Sequence, residues 1–183
     1  MATRGSYGFK YNEELKVTYN HFDSYLTDLG CDTMMYVLNH TIDEMKADAT
    51  KLQLVNECDT PTPAHIKLCE EAGTIKLGVS PSEDDPMTRY PIEGYYYLLR
   101  EAQRNLGALC RVGLMTDGCE FFTDDLYCAY SYVINLDTGM FEYYKMTKLR
   151  GLIPLHTIHA SSPEMIKHFC EAPGVFNIGP AKA

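Results

Sequence analysis

The sequence contains no tryptophan, no C-x-x-C pair, no excess of basic charge and no apolar run near the ~18 residues that a membrane span needs. Each absence removes a class of function. Without a long apolar run, no membrane partner is expected. The opening Met1-Ala2-Thr3-Arg4-Gly5-Ser6-Tyr7 lacks the apolar core of a secretory signal, so a cytoplasmic location is expected. With 16 Lys and Arg against 25 Asp and Glu, the net charge of −9 repels a phosphate backbone and argues against a direct nucleic-acid partner. The acids fall in scattered pairs such as Glu13-Glu14, Glu70-Glu71 and Asp124-Asp125, which read as a solvated surface. There is no G-x-G-x-x-G opening a helix, no P-loop and no G-x-S-x-G, so no nucleotide cofactor and no serine elbow are indicated. The seven cysteines are spaced without zinc-ligand pattern; His65 with Cys69 and His168 with Cys170 stand alone. They read as buried thiols, and no metal or other cofactor is expected.

What remains is 183 residues, 45% hydrophobic and 22% charged, enough to bury one sizeable core. We expect a single α+β domain over 1–172, followed by a small, breaker-rich and mobile tail over 173–183. Residues 5–20 predict a hairpin: Tyr7, Phe9 and Tyr11 share one parity, Leu15, Val17 and Tyr19 share another, and Asn12-Glu13 makes the turn. After a loop over 21–30, Met34, Val37, Leu38, Thr41, Ile42, Met45, Ala49 and Leu52 write an apolar stripe that predicts one helix of four to five turns. Thr62, Pro63 and Gly73 punctuate a second helix. A loop rich in proline covers 78–91, and a third helix is predicted over 92–106, with Gly107 as its stop.

The period then changes to two. Short extended pieces are predicted at 119–122, 127–136 and 140–146, the last two joined by the hairpin turn Asp137-Thr138-Gly139. A short apolar strand precedes His156 and His159, whose H-x-x-H spacing is a weak metal signal, since Pro154 argues against a helix there. A last helix starts at Ser162-Pro163-Glu164. Two strands, three helices, three strands and a helix predict a mainly antiparallel sheet joining both hairpins, packed with helices, and no alternating βαβ unit.

The densest polar cluster is Tyr19-Asn20-His21-Phe22-Asp23-Ser24-Tyr25. In an extended segment His21 and Asp23 point the same way, and a carboxylate beside an imidazole can orient it for general-base work. These two are the candidate catalytic residues. Asn, Asp and Ser in such a run can equally cap the turns that follow. The 14 tyrosines include Tyr95-Tyr96-Tyr97, which points three ways around a helix, so at least one ring leaves the core. Exposed tyrosine favours a partner or ligand surface, and buried or half-buried tyrosine the flank of a sheet.

Met1-Ala2-Thr3-Arg4, with the hairpin ending in residues 19–25 and then Leu29-Gly30, resembles small bacteriophage and prophage proteins that begin Met-small-Thr-Arg and carry a His-x-Asp-Gly-Tyr segment. Ser24 stands where that pattern has glycine. The later hairpin over 132–144 is also like theirs. The order of elements is more distantly similar to N-terminal nucleophile hydrolases, which implies layered sheets and helices. Their chemistry needs a terminal Cys, Ser or Thr. Removal of Met1 leaves Ala2, and Thr3 becomes terminal only after a further cleavage. The resemblance implies a phage-encoded accessory protein that binds a host protein or small molecule, in takeover or counter-defence. Arg4, His21, Asp23 and Tyr25 are its candidate binding residues, with Arg4 to pair an anionic group. The alternatives are a hydrolase using His21 and Asp23, or Thr3, and a structural or regulatory homo-oligomer joined through its tyrosines.

Overall fold

The computed structural model describes residues 3–74 and 94–171. The predicted proline-rich loop, the start of the third helix and the tail over 173–183 therefore lie outside the described residues. Strands β1 (Gly5–Tyr11) and β2 (Glu14–Asn20) form the first hairpin. Its turn is at Asn12 and Glu13, both left-handed, and the Asp137 carboxylate holds their two backbone N–H groups at 2.8 and 3.0 Å. Strands β5 (Tyr130–Asn135) and β6 (Met140–Lys145) form the second hairpin, with Gly139 supplying the positive φ that its turn requires. Strand β7 (Lys148–Pro154) extends that side.

The sheet order is β2-β1-β5-β6-β7. Three of its four pairings are antiparallel, and the fourth, β1 beside β5, is parallel and joins the two hairpins into one mixed sheet. The molecule is thus a single α+β domain, with helices packed against the sheet. A second, two-stranded parallel sheet pairs β3 (Gln53–Val55) with β4 (Leu114–Thr116). This parallel pair is absent from the sequence-based expectation, because neither three-residue strand is long enough to show a period.

Alternation along the strands sorts the two faces. Tyr7 and Phe9 on β1, Tyr132 and Ile134 on β5 and Phe141 on β6 are fully buried on one face. This face receives α1 (Cys31–Leu38), α2 (Ile42–Lys51), α5 (Leu106–Val112), α7 (Leu155–His159) and α8 (Pro163–Glu171), which contribute Met34, Val37, Met45, Leu109, Ile158 and Ile166 to the same core. The opposite face carries Ser6 and Ser131, hydrogen-bonded at 2.8 Å, and is covered by α6 (Cys119–Phe122). Helix α3 (Pro63–Glu71) begins at the Thr62 cap and Pro63, as its punctuation predicts.

Four expected elements differ. The long helix over 34–52 is two helices, since Thr41 accepts from the Glu44 N–H while the Glu44 carboxylate accepts from the Thr41 N–H, a capping box that restarts the helix. The third helix reduces to α4 (Tyr95–Leu98) and a tight 3-10 turn (Arg100–Ala102); Asn105 then caps α5, so Gly107 lies inside a helix instead of ending one. The piece at 119–122 is a helical turn, because the Asp117 carboxylate caps the Cys119 N–H and turns the chain. The segment bearing His156 and His159 is also helical, with Pro154 tolerated just ahead of its first turn.

Candidate functional site

Strand β1 begins where β2 ends, and at that end of the sheet a cavity of about 640 Å³ opens. Arg4 enters it from the start of β1, and Tyr19 and His21 from the end of β2. Three further segments complete the wall: Glu57 and Cys58 after β3, Gly94 to Tyr97 at α4, and the stretch from Asp117 to Tyr127 around α6.

Close backbone approaches bring these segments together. A Cβ on Gly94 would stand 2.7 Å from the Glu57 carbonyl oxygen, and one on Gly118 would stand 2.9 Å from the Thr18 carbonyl carbon and the Tyr19 nitrogen. Only glycine permits either contact. The Tyr96 N–H donates to the Glu57 carbonyl at 3.1 Å, and the Gly118 N–H to the Val17 carbonyl at 2.8 Å, so the wall is stitched to the strand it encloses.

The cavity is aromatic. Phe121 meets Tyr19 edge to face at 4.8 Å between centroids, and Tyr96 meets Tyr97 likewise at 5.4 Å. Tyr95, the first of the triplet, turns inward and shares a hydrogen bond of 2.5 Å with His65 Nδ1, while Tyr97 is 54% exposed. The Arg4 guanidinium lies 5.8 Å over the Tyr127 ring. Among the described residues it makes no ion pair. Asp117 and Asp124 each spend one carboxylate oxygen on backbone N–H groups, Asp117 on Cys119 and Asp124 on Leu126 and Tyr127, all at 2.9 Å. The Glu57 carboxylate has no protein donor among the described residues.

His21 shares a 2.5 Å hydrogen bond through Nδ1 with the Tyr19 hydroxyl. Burial pushes the Tyr19 phenol up, Arg4 pulls it down, and Tyr96 and Glu57 push it up again, so Tyr19 stays protonated at neutral pH. The expected pairing of His21 with Asp23 is not formed. Asp23 takes φ 50°, which breaks the extended alternation, and its carboxylate faces Arg104 at 3.7 Å. Arg104 also reaches Asp28 at 3.6 Å and Asp32 at 2.7 Å. Tyr25 packs on Tyr130 at 5.7 Å, outside the cavity.

Of the four candidate binding residues, the structure therefore brings Arg4 and His21 together and places Asp23 and Tyr25 elsewhere. The rest of the cluster makes local bonds. The Asn20 amide donates to the Phe22 carbonyl and to Ser24 Oγ, and the Ser24 N–H donates to the Thr3 carbonyl. A Cβ on Gly5 would stand 2.6 Å from the Ser24 Cβ, so a compact residue is needed at both positions.

His159 Nε2 lies 2.9 Å from the His40 carbonyl, which ties α7 to the end of α1. Among the described residues, Cys58 is the one exposed cysteine; Cys31, Cys69, Cys110, Cys128 and Cys170 are buried. No helix among the described residues is long and apolar enough to cross a membrane.

Sequence reasoning missed Glu57, Asp117, Asp124 and Phe121 as neighbours of Arg4 and His21. No local signal joins segments this far apart; the nearest hint was Tyr95-Tyr96-Tyr97, whose outward rings form part of the wall. No protein-family model matches the sequence, and no curated protein or solved structure matches it.

Proposed function

We propose that the protein is a non-catalytic binding protein whose ligand is a small molecule seated in the cavity at the shared end of β1 and β2. The carrying observation is the cavity itself: about 640 Å³, walled by Tyr19, Tyr96, Tyr97, Phe121 and Tyr127, with Arg4 5.8 Å over one ring and in no ion pair among the described residues. That size and that mixture of aromatic area with a few polar groups are those of a small-molecule site. The His21–Asp23 pair expected for base catalysis is not formed, since the Tyr19 hydroxyl bonds His21 Nδ1 and Asp23 faces Arg104. The N-terminal motif and the segment over 19–25 support a phage-encoded accessory role, in which the protein sequesters or senses a compound of the host cell.

Saturation-transfer NMR with indole, phenol and benzyl alcohol tests the reading. Saturation should pass to these probes in the wild type and fall at least fivefold in Y97A and Y127A, both of which remove exposed rings and leave the melting temperature in place. Absence of transfer in the wild type, or transfer undiminished in both variants, would overturn it.

A further inference from the structure

Among the described residues, three carboxylates and one guanidinium line the cavity, yet they are not equally available. Asp117 and Asp124 are engaged by the backbone N–H groups of the turns they cap. Among the described residues Arg4 and Glu57 have no such partner, and a side chain with five donors and one with only acceptors are left facing the same space. From this we infer that the ligand is an amino-acid zwitterion with an aromatic side chain, its carboxylate on Arg4 and its ammonium on the Glu57 side. The inference rests on the small-molecule reading above and deepens it.

The other charge classes fit less well. A phosphate or other multiply charged anion would meet one cation among three carboxylates on a chain of net charge −9. A simple organic cation would suit the rings and the carboxylates but leave the Arg4 guanidinium facing a like charge. A neutral aromatic would leave the half-buried Arg4 without a partner and make no use of the exposed Glu57 carboxylate. The zwitterion alone uses both. Its carboxylate matches the planar fork of arginine, which lies 5.8 Å over the Tyr127 ring. Its ammonium lies toward Glu57, whose carboxylate has no protein donor among the described residues. Its ring finds the edge-to-face surfaces of Tyr19 with Phe121 and Tyr96 with Tyr97.

Isothermal titration at pH 7 with four matched probes decides the question: L-phenylalanine, phenethylamine, 3-phenylpropionate and benzyl alcohol. L-Phenylalanine should bind at least tenfold more tightly than each of the other three. In R4Q its advantage over phenethylamine should vanish, and in E57Q its advantage over 3-phenylpropionate should vanish. A wild-type order in which phenethylamine, 3-phenylpropionate or benzyl alcohol matches or exceeds L-phenylalanine overturns the zwitterion while leaving the small-molecule reading standing. If none of the aromatic probes binds, both fall. The wild-type ranking does not depend on either variant folding, so the inference is decided even if R4Q is unstable.

Discussion

Tyr7 and Tyr132 stand directly opposite each other across the parallel junction of β1 and β5, and both are fully buried. Their hydroxyls differ. That of Tyr132 donates to the Ser24 carbonyl at 3.0 Å, whereas that of Tyr7 has no hydrogen-bond partner among the described residues. Burial pushes the Tyr7 phenol far up; the Arg104 backbone is near enough to oppose this slightly but closes no bond. A buried polar group left unpaired costs about 1–3 kcal/mol. Replacing Tyr7 by Phe removes that cost and leaves a hole of at most ~15 Å³, roughly one water-sized sphere. At ~24 cal/mol per Å³ the hole costs about 0.4 kcal/mol. Tyr7→Phe should therefore stabilise the protein by about 1–2 kcal/mol and raise its melting temperature by about 3–6 °C. Tyr132→Phe strands the Ser24 carbonyl and should cost about 1 kcal/mol. Urea unfolding followed by circular dichroism measures both, with an unchanged slope as the check that only stability moved. A destabilised Tyr7→Phe variant, or equal effects at the two positions, would refute this reasoning.

Two further outcomes concern the packing in and around the same sheet. A Cβ on Gly8 would stand 2.1 Å from the Lys16 carbonyl oxygen inside the first hairpin, so Gly8→Ala should cost more than about 3 kcal/mol and yield little folded protein on expression, read by circular dichroism and size exclusion. The phenols of Tyr7, Tyr36, Tyr132 and Tyr144 are all raised, chiefly by burial. Stability from these groups is fully present below the unfolded tyrosine value near 10, and it falls as pH rises above that value, because only the unfolded chain releases the protons. Denaturation midpoints should hold to about pH 9 and drop beyond it, with late phenolate absorbance appearing in step with unfolding; early full ionisation in the folded state would contradict the burial.

The sequence made the two hairpins legible because each is local: parity, Asn12-Glu13 and Asp137-Thr138-Gly139 carry their own register. Of the apolar stripe from Met34 to Leu52, Met34, Val37, Met45, Ala49 and Leu52 are buried, Leu38 and Ile42 are half-buried, and Thr41 is exposed. The stripe could not show the break between α1 and α2, since a stripe records facing and not continuity. The local signal was Thr41 with Glu44, a T-x-x-E pattern lying inside the stripe. The site was half legible. Arg4 and His21 sit in the polar cluster and the motif, but their companions arrive through backbone contacts of Gly94 and Gly118 with distant segments, which no periodicity records. Asp23 misled because an i, i+2 argument assumes extended backbone, and φ at Asp23 is left-handed.

The parallel seam between β1 and β5 joins residues more than 120 positions apart, while each hairpin closes over a short loop. Loop-closure entropy makes the hairpins early and the seam late. Arg4 sits at the lip of that seam, where its carbonyl accepts from the Ala129 N–H at 3.1 Å, and Tyr127 lies two residues before Ala129. A molecule bridging the Arg4 side to the α6 side would thus act as a rivet on the last joint to close. Its binding would slow unfolding more than it speeds folding, so occupancy of the cavity would be recorded in the lifetime of the folded chain.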